Sequence, residues 1–143
     1  MAFAHDLPVV PISTLAALAQ QCAKENDHIA SAIDARMQEI YWGLYKKDNS
    51  GIMQPINEEQ VSSPSELNTV LEGNWFGAGS GWNTYPEELK SKFDGNLLGF
   101  NGEVYPAAVD ILSLAKPAYL QNQAISVEAA SPVYLRNKIA NKN

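Results

Sequence analysis

The sequence predicts an α/β protein: a mixed sheet of about five strands with helices on its faces. Three observations predict it. Residues 38–46 alternate, with Ile40, Trp42 and Leu44 on one side and Glu39, Tyr41 and Tyr45 on the other, the period of two of a strand with two different faces. Residues 28–33 are β-branched or small and free of charge and proline, so they form a second strand, joined to the first around Asp34-Ala35-Arg36-Met37 by a four- or five-residue hairpin loop. Beyond the hairpin, helix and strand signals alternate, which places helices against a sheet with both antiparallel and parallel neighbours.

Taken in order, residues 1–4 read as the end of a helix, and residues 6–12 as a short strand. Pro8 and Pro11 each remove a ladder donor there, so that strand belongs at an edge or is very short. Ser13 offers an N-cap, and Leu15, Leu18, Ala19 and Cys22 follow at helical spacing until the pattern fades near Asn26. After the hairpin, Lys46-Lys47-Asp48-Asn49-Ser50-Gly51 is a turn cluster and residues 52–56 a third strand, with Pro55 at an edge. Ser62 or Ser63 before Pro64 starts a helix with Leu67, Val70 and Leu71 as its buried stripe and Gly73 as its stop. Residues 75–79 form a glycine-rich fourth strand. Residues 86–93 form a short helix with Glu87 and Glu88 in the first turn, where the macrodipole favours acids. Residues 96–100 make a fifth strand. Pro106 opens the last helix, with Ala108, Ile111, Ala115, Ala118 and Tyr119 on one face, and Pro117 kinks it or ends it early. From residue 28 the order is β-β-β-α-β-α-β-α, the order of the ribonuclease-H-like domain that actin-like (ASKHA) proteins use twice in tandem.

With 143 residues, 45% of them hydrophobic and 18% charged, the chain has enough apolar side chain for a sizeable core. A net charge of −6 argues against a free-standing nucleic-acid binder, which needs a basic face to displace counterions; the local basic excess is Arg136, Lys138 and Lys142. One cysteine, Cys22, rules out an internal disulfide framework and fits a reducing compartment, so the expected location is the cytoplasm. The first residues carry no basic segment ahead of an apolar one, and no apolar run approaches the ~18 residues of a membrane span.

Catalytic patterns are sparse. His5 and His28 fall on different elements, Cys22 falls on an apolar helix face, and neither spacing makes a metal site. Glu58-Glu59 and Glu87-Glu88 are sequence neighbours that point apart, the pattern of solvated surface. The glycine run at residues 77–81 holds the weak cofactor candidates Gly77, Gly79, Ser80 and Gly81. It reads either as a backbone cradle for phosphate or as a tight turn at a strand's end, and it lacks the Lys-Ser/Thr of a P-loop. Asp34, Arg36 and Glu39 put opposite charges at one end of the sheet, either a surface ion pair or the rim of a site.

Two stretches read together carry a resemblance. Asp34-Ala35-Arg36-Met37-Gln38-Glu39-Ile40-Tyr41-Trp42 and Ser131-Pro132-Val133-Tyr134-Leu135-Arg136-Asn137 resemble the hairpin and carboxy-terminal signature of the bacterial TsaB (YeaZ), glycoprotease-like family. Between them Gly79-Ser80-Gly81-Trp82 and Tyr105-Pro106-Ala107-Ala108 fall in the expected order. Leu7-Pro8-Val9-Val10-Pro11-Ile12-Ser13-Thr14-Leu15 is similar to the family's strand-to-helix junction out of its first lobe.

The resemblance implies a non-catalytic subunit of the complex that forms threonylcarbamoyladenosine at position 37 of tRNAs. Such a subunit orders the catalytic subunit TsaD, with the ATPase TsaE joining the assembly and tRNA contacted only indirectly. It implies no cofactor, no metal and no catalytic residue. Asp34, Arg36, Glu39, Tyr134 and Arg136 are then structural or interface residues, with Arg136 folding back to meet a carboxylate near the hairpin. It further implies that residues 1–26 are the strand-plus-helix remnant of a first actin-like lobe and residues 27–143 the second lobe. Apolar surface left open on residues 1–26 then favours self-association into a homo-oligomer. A different class, an actin-like nucleotide-binding protein or a glycoprotease-like hydrolase, is the alternative.

Overall fold

A computed structural model describes residues 5–68, 71–132 and 135. Residues 1–4, Val70, Tyr134 and Arg136, on which several expectations rest, lie outside the described residues.

Among the described residues six strands form one mixed sheet. Strands β1 (His28–Asp34) and β2 (Ile40–Lys47) make the expected antiparallel hairpin, in register from His28 opposite Lys46 to Asp34 opposite Ile40. The outer side of β2 is shared by β3 (Met53–Pro55) and β4 (Gln60–Ser62), and on its other side β1 runs parallel to β5 (Trp75–Ala78), which runs parallel to β6 (Leu97–Asn101). The order β3-β2-β1-β5-β6 is that of the ribonuclease-H-like, actin-like lobe. Strand β4 was not anticipated, because three residues give no legible period. Its place is set by side chains: Asn57 Oδ1 accepts from the Leu44 amide at 2.7 Å, bridging the gap between β3 and β4 along β2.

Strand β1 is buried on both faces, as expected of a central strand with parallel and antiparallel neighbours. Ala30, Ala32, Ile40, Trp42 and Leu44 pack with Leu67, Trp75, Trp82, Leu89 and Phe93 on one side. That layer is covered by α2 (Gly81–Thr84), α3 (Pro86–Ser91) and a 3-10 turn at Pro64–Glu66. On the other side Ile29, Tyr45, Met53 and Ala78 meet Leu15, Leu18 and Ala19 of α1 (Thr14–Gln21). Ser13 caps α1 as expected, accepting from the Leu15 and Ala16 amides at 3.1 and 3.4 Å. The buried Ser31 hydroxyl donates to the Leu15 carbonyl at 2.8 Å and so ties α1 to the central strand.

Four sequence expectations are narrowed or corrected. The strand at residues 6–12 reduces to one bridge, Val9 with Ile125, because the flanking prolines leave few donors. The helix after Pro64 stops within one turn: Leu67 turns extended and buries its side chain to 3% exposure, a tertiary demand that overrides the local start signal. Pro117 does not end α4 (Ala108–Leu120), since it sits in the last turn and removes a single bond there. Of the face expected to be buried on α4, Ile111 and Tyr119 are exposed, and the helix buries only Leu114.

Candidate functional site

The two stretches singled out at the sheet's end meet. The Asp34 amide, at the carboxyl end of β1, donates to Ser80 Oγ at 3.1 Å, and Ser80 follows the carboxyl end of β5. Carboxyl ends of neighbouring parallel strands are where open α/β sheets form their functional crevices.

On the hairpin side, the loop closes through the Ala35 amide to the Glu39 carbonyl at 2.9 Å and the Glu39 amide to the Arg36 carbonyl at 3.0 Å. Arg36, Met37 and Gln38 all take left-handed backbone, with φ of 65°, 55° and 61°. Three consecutive non-glycine residues in that region store strain of the kind concentrated at functional loops. Asp34 Oδ1 accepts from the Arg36 amide at 3.0 Å, so this carboxylate braces the loop through the backbone, while the Arg36 side chain is exposed. Ion pairs join Lys47 to Asp27 and, on the surface, Lys90 to Glu87.

On the glycine side, close packing accounts for the residue type. A Cβ on Gly77 would fall inside the Trp82 indole, one on Gly79 would strike the Ala32 carbonyl oxygen, and one on Gly81 would lie 2.9 Å from Ala32 Cβ. Gly79 also has φ +105°, which other residues rarely adopt. Several amides of the turn are used internally: Gly79 N–H donates to the Asn101 carbonyl at 3.0 Å, Trp82 N–H to Gly79 at 3.1 Å and Asn83 N–H to Ser80 at 3.1 Å. Trp82, fully buried, donates through Nε1 to the Ala30 carbonyl at 2.9 Å and stacks on Phe100.

Elsewhere, Glu59 departs from its expected place on the solvated surface. It is half-buried, and its Oε1 accepts from the Tyr45 hydroxyl at 2.5 Å and from the Ser13 hydroxyl. Burial pushes the Tyr45 hydroxyl well above the ordinary tyrosine range, and the Glu59 charge adds to the shift. No sequence signal links Ser13, Tyr45 and Glu59, because they lie on separate elements. A polar cleft of about 500 Å3 opens between the end of α1, the β2–β3 turn and Asp110. Lys47 and Asp48 of its lining are engaged, while the buried Asp110 Oδ2 has no hydrogen-bond partner among the described residues. Lys47 Nζ meets Asp27 at 2.9 Å and the Ala23 carbonyl at 2.8 Å. Asp48 is held below the usual carboxylate range by the Ile52 amide first and then by Gln54. Burial raises Asp110, and raises the Cys22 thiol, to which the Asp110 charge contributes. Among the described residues no three His, Cys, Asp or Glu side chains gather as a metal site would require, and no helix is long and apolar enough to cross a membrane.

This strand order, with a braced hairpin beside the glycine turn, defines an actin-like lobe. Residues 1–141 match the family described as "TsaD: tRNA N6-adenosine threonylcarbamoyltransferase". The TsaB tRNA threonylcarbamoyladenosine biosynthesis protein of Escherichia coli is 37% identical over 98% of this chain and 62% of its own length. That of Haemophilus influenzae is 35% identical over 97% and 61%. The solved structure of YeaZ from Pseudomonas aeruginosa superposes with a TM-score of 0.84 at 38% identity, over 94% of this chain and 62% of that one. The chain belongs to this TsaD-related family, and its relatives within it are TsaB (YeaZ) proteins. It spans about six tenths of the length of the curated relatives it matches.

Proposed function

We propose that the chain serves tRNA threonylcarbamoyladenosine biosynthesis as a non-catalytic subunit, binding a TsaD-type threonylcarbamoyltransferase and favouring its competent state. The observation that carries this reading is the match over nearly the whole chain to proteins named for that biosynthesis, together with the agreement in fold. Such a subunit acts only through contacts that differ between the partner's competent and idle states. The hairpin end supports the reading. Its carboxylate is engaged in bracing a strained, exposed loop, an arrangement suited to presenting a fixed shape to another protein. Within this proposal α1, in the segment expected to belong to a first lobe, covers one face of this lobe's sheet, Asp34, Arg36 and Glu39 are interface residues along with Tyr134 and Arg136, and TsaE and tRNA are met through the assembly.

Calorimetric titration of the chain with a TsaD partner tests it. Saturable binding that Arg36→Ala weakens, with the melting temperature unchanged, is expected. Absence of binding by both this chain and a version extended at its amino end sinks the proposal. Titration with ATP and magnesium separates the nucleotide-binding alternative, for which heat of binding is required.

A further inference from the structure

Asn101 is the one asparagine in the sequence that glycine follows. In such a pair the backbone nitrogen of the second residue can reach the side-chain amide carbon of the first, because no Cβ shields it. Packing requires that glycine: a Cβ at 102 would fall 2.1 Å from Asn83 Cγ. The reactive pairing is therefore built in by the fold, since a bulkier residue at 102 finds no room.

The pair lies where β6 ends and the chain turns away from the sheet. Hydrogen bonds there arrange the reacting groups. The Glu103 amide donates to Asn101 Oδ1 at 2.9 Å, so a donor already sits on the oxygen that gains charge when the amide carbon is attacked. Glu103 is itself held, its Oε1 accepting from Asn83 Nδ2 at 2.6 Å. Among the described residues no hydrogen bond occupies the Gly102 amide, so its proton is free to leave. Asn101 is exposed, which opens its side-chain amide to water.

We propose that Asn101-Gly102 is a self-modification site, at which the folded chain converts Asn101 to aspartate and isoaspartate with water as the other reactant. The Gly102 nitrogen bonds to Asn101 Cγ, and the Cγ–Nδ2 bond breaks. The departing amide nitrogen takes up the proton lost by Gly102 and leaves as ammonia. Water then opens the cyclic imide at either carbonyl, its hydroxyl going to the carbonyl carbon and its hydrogen to the ring nitrogen. One opening gives aspartate and the other isoaspartate, with no oxidation or reduction.

The product reaches the glycine turn. The Asn101 carbonyl accepts from the Gly79 amide at 3.0 Å, and the next residue, Ser80, accepts from the Asp34 amide. In isoaspartate the chain runs through Cβ and Cγ, so that carbonyl becomes part of a free carboxylate and the acceptor holding Gly79 shifts. The new charge also lies beside Glu103, which it repels.

Incubation of the whole folded chain in warm, mildly alkaline buffer, followed by mass spectrometry and peptide mapping, tests it. The expected result is the mass gain of an NH2 group exchanged for OH, located at Asn101. An isoaspartyl-specific methyltransferase with labelled S-adenosylmethionine then marks the same peptide. The folded rate is expected to lie within about tenfold of the rate in urea, or above it, since a fold that held the pair apart would add more than ~1.4 kcal/mol to the barrier. Asn101→Gln, whose longer side chain closes the ring far more slowly, abolishes the gain. Chain carrying isoaspartate, separated by ion exchange, shows faster hydrogen exchange at the Gly79 amide. No gain in the folded chain, a gain located at another asparagine, or a folded rate below that limit overturns the proposal. Unchanged exchange at Gly79 overturns the effect on the glycine turn.

Discussion

The Tyr45 hydroxyl donates to Glu59 Oε1 at 2.5 Å from a side chain that is 1% exposed, and the Ser13 hydroxyl donates to the same oxygen. One carboxylate thus joins β2, the approach to β4 and the cap of α1. Glu59→Ala is expected to lower unfolding free energy by about 2–3 kcal/mol, because it leaves the Tyr45 hydroxyl buried without an acceptor. Urea denaturation measures it. Combining Glu59→Ala with Ser13→Ala in a double-mutant cycle should show coupling of at least ~0.5 kcal/mol, as groups sharing one network do.

Alkaline pH acts on the same contact. The folded-state pKa of Tyr45 lies above the unfolded value of about 10, so the native state retains a proton that the unfolded chain loses. Its contribution to stability is complete below pH ~10 and declines as pH rises beyond that. Melting temperature followed from pH 8 to 11 should fall more steeply for the wild type than for Tyr45→Phe, and parallel curves would rule the contact out as the cause.

Glycine substitutions separate packing from flexibility. Gly79→Ala meets both a left-handed backbone and the Ala32 carbonyl, and should cost on the order of 3 kcal/mol or more. Gly95→Ala has a similar backbone, φ +83°, with open space around it, and should cost about 1 kcal/mol. Equal costs in chemical denaturation would show that the tight fit against β1 is not what requires Gly79.

The hairpin loop offers a gain. Gln38, at φ 61° in an exposed loop, is a position where glycine removes side-chain strain. Gln38→Gly should hold or raise stability by up to ~1 kcal/mol, whereas Asp34→Ala, which removes the brace on the Arg36 amide, should speed hydrogen exchange at that amide.

The sequence made the hairpin legible because Ile40, Trp42 and Leu44 alternate with Tyr41 and Tyr45, and the structure sorts them to the two faces as that alternation requires. The sheet order followed from the succession of elements. What stayed hidden depends on tertiary demands. The pull of the core on Leu67 cancels a well-signalled helix, a three-residue β4 has no period, and Glu59 looks like surface until Tyr45 and Ser13 arrive from elsewhere. At the sheet's end Asp34 and the glycine turn were each visible, but their junction through Ser80 was not, since 46 positions separate donor from acceptor.

Ile29 pairs with Tyr45 on one edge of β1 and with Phe76 on the other. The first pairing forms within a hairpin, while the second must close a long loop and is slower to form. During synthesis β1 and β2 are therefore able to join as soon as both have left the ribosome, while the other edge of β1 waits for β5 to be translated. A nascent chain caught in that interval displays an unsatisfied strand, the kind of surface that chaperones bind and that aggregates when they do not.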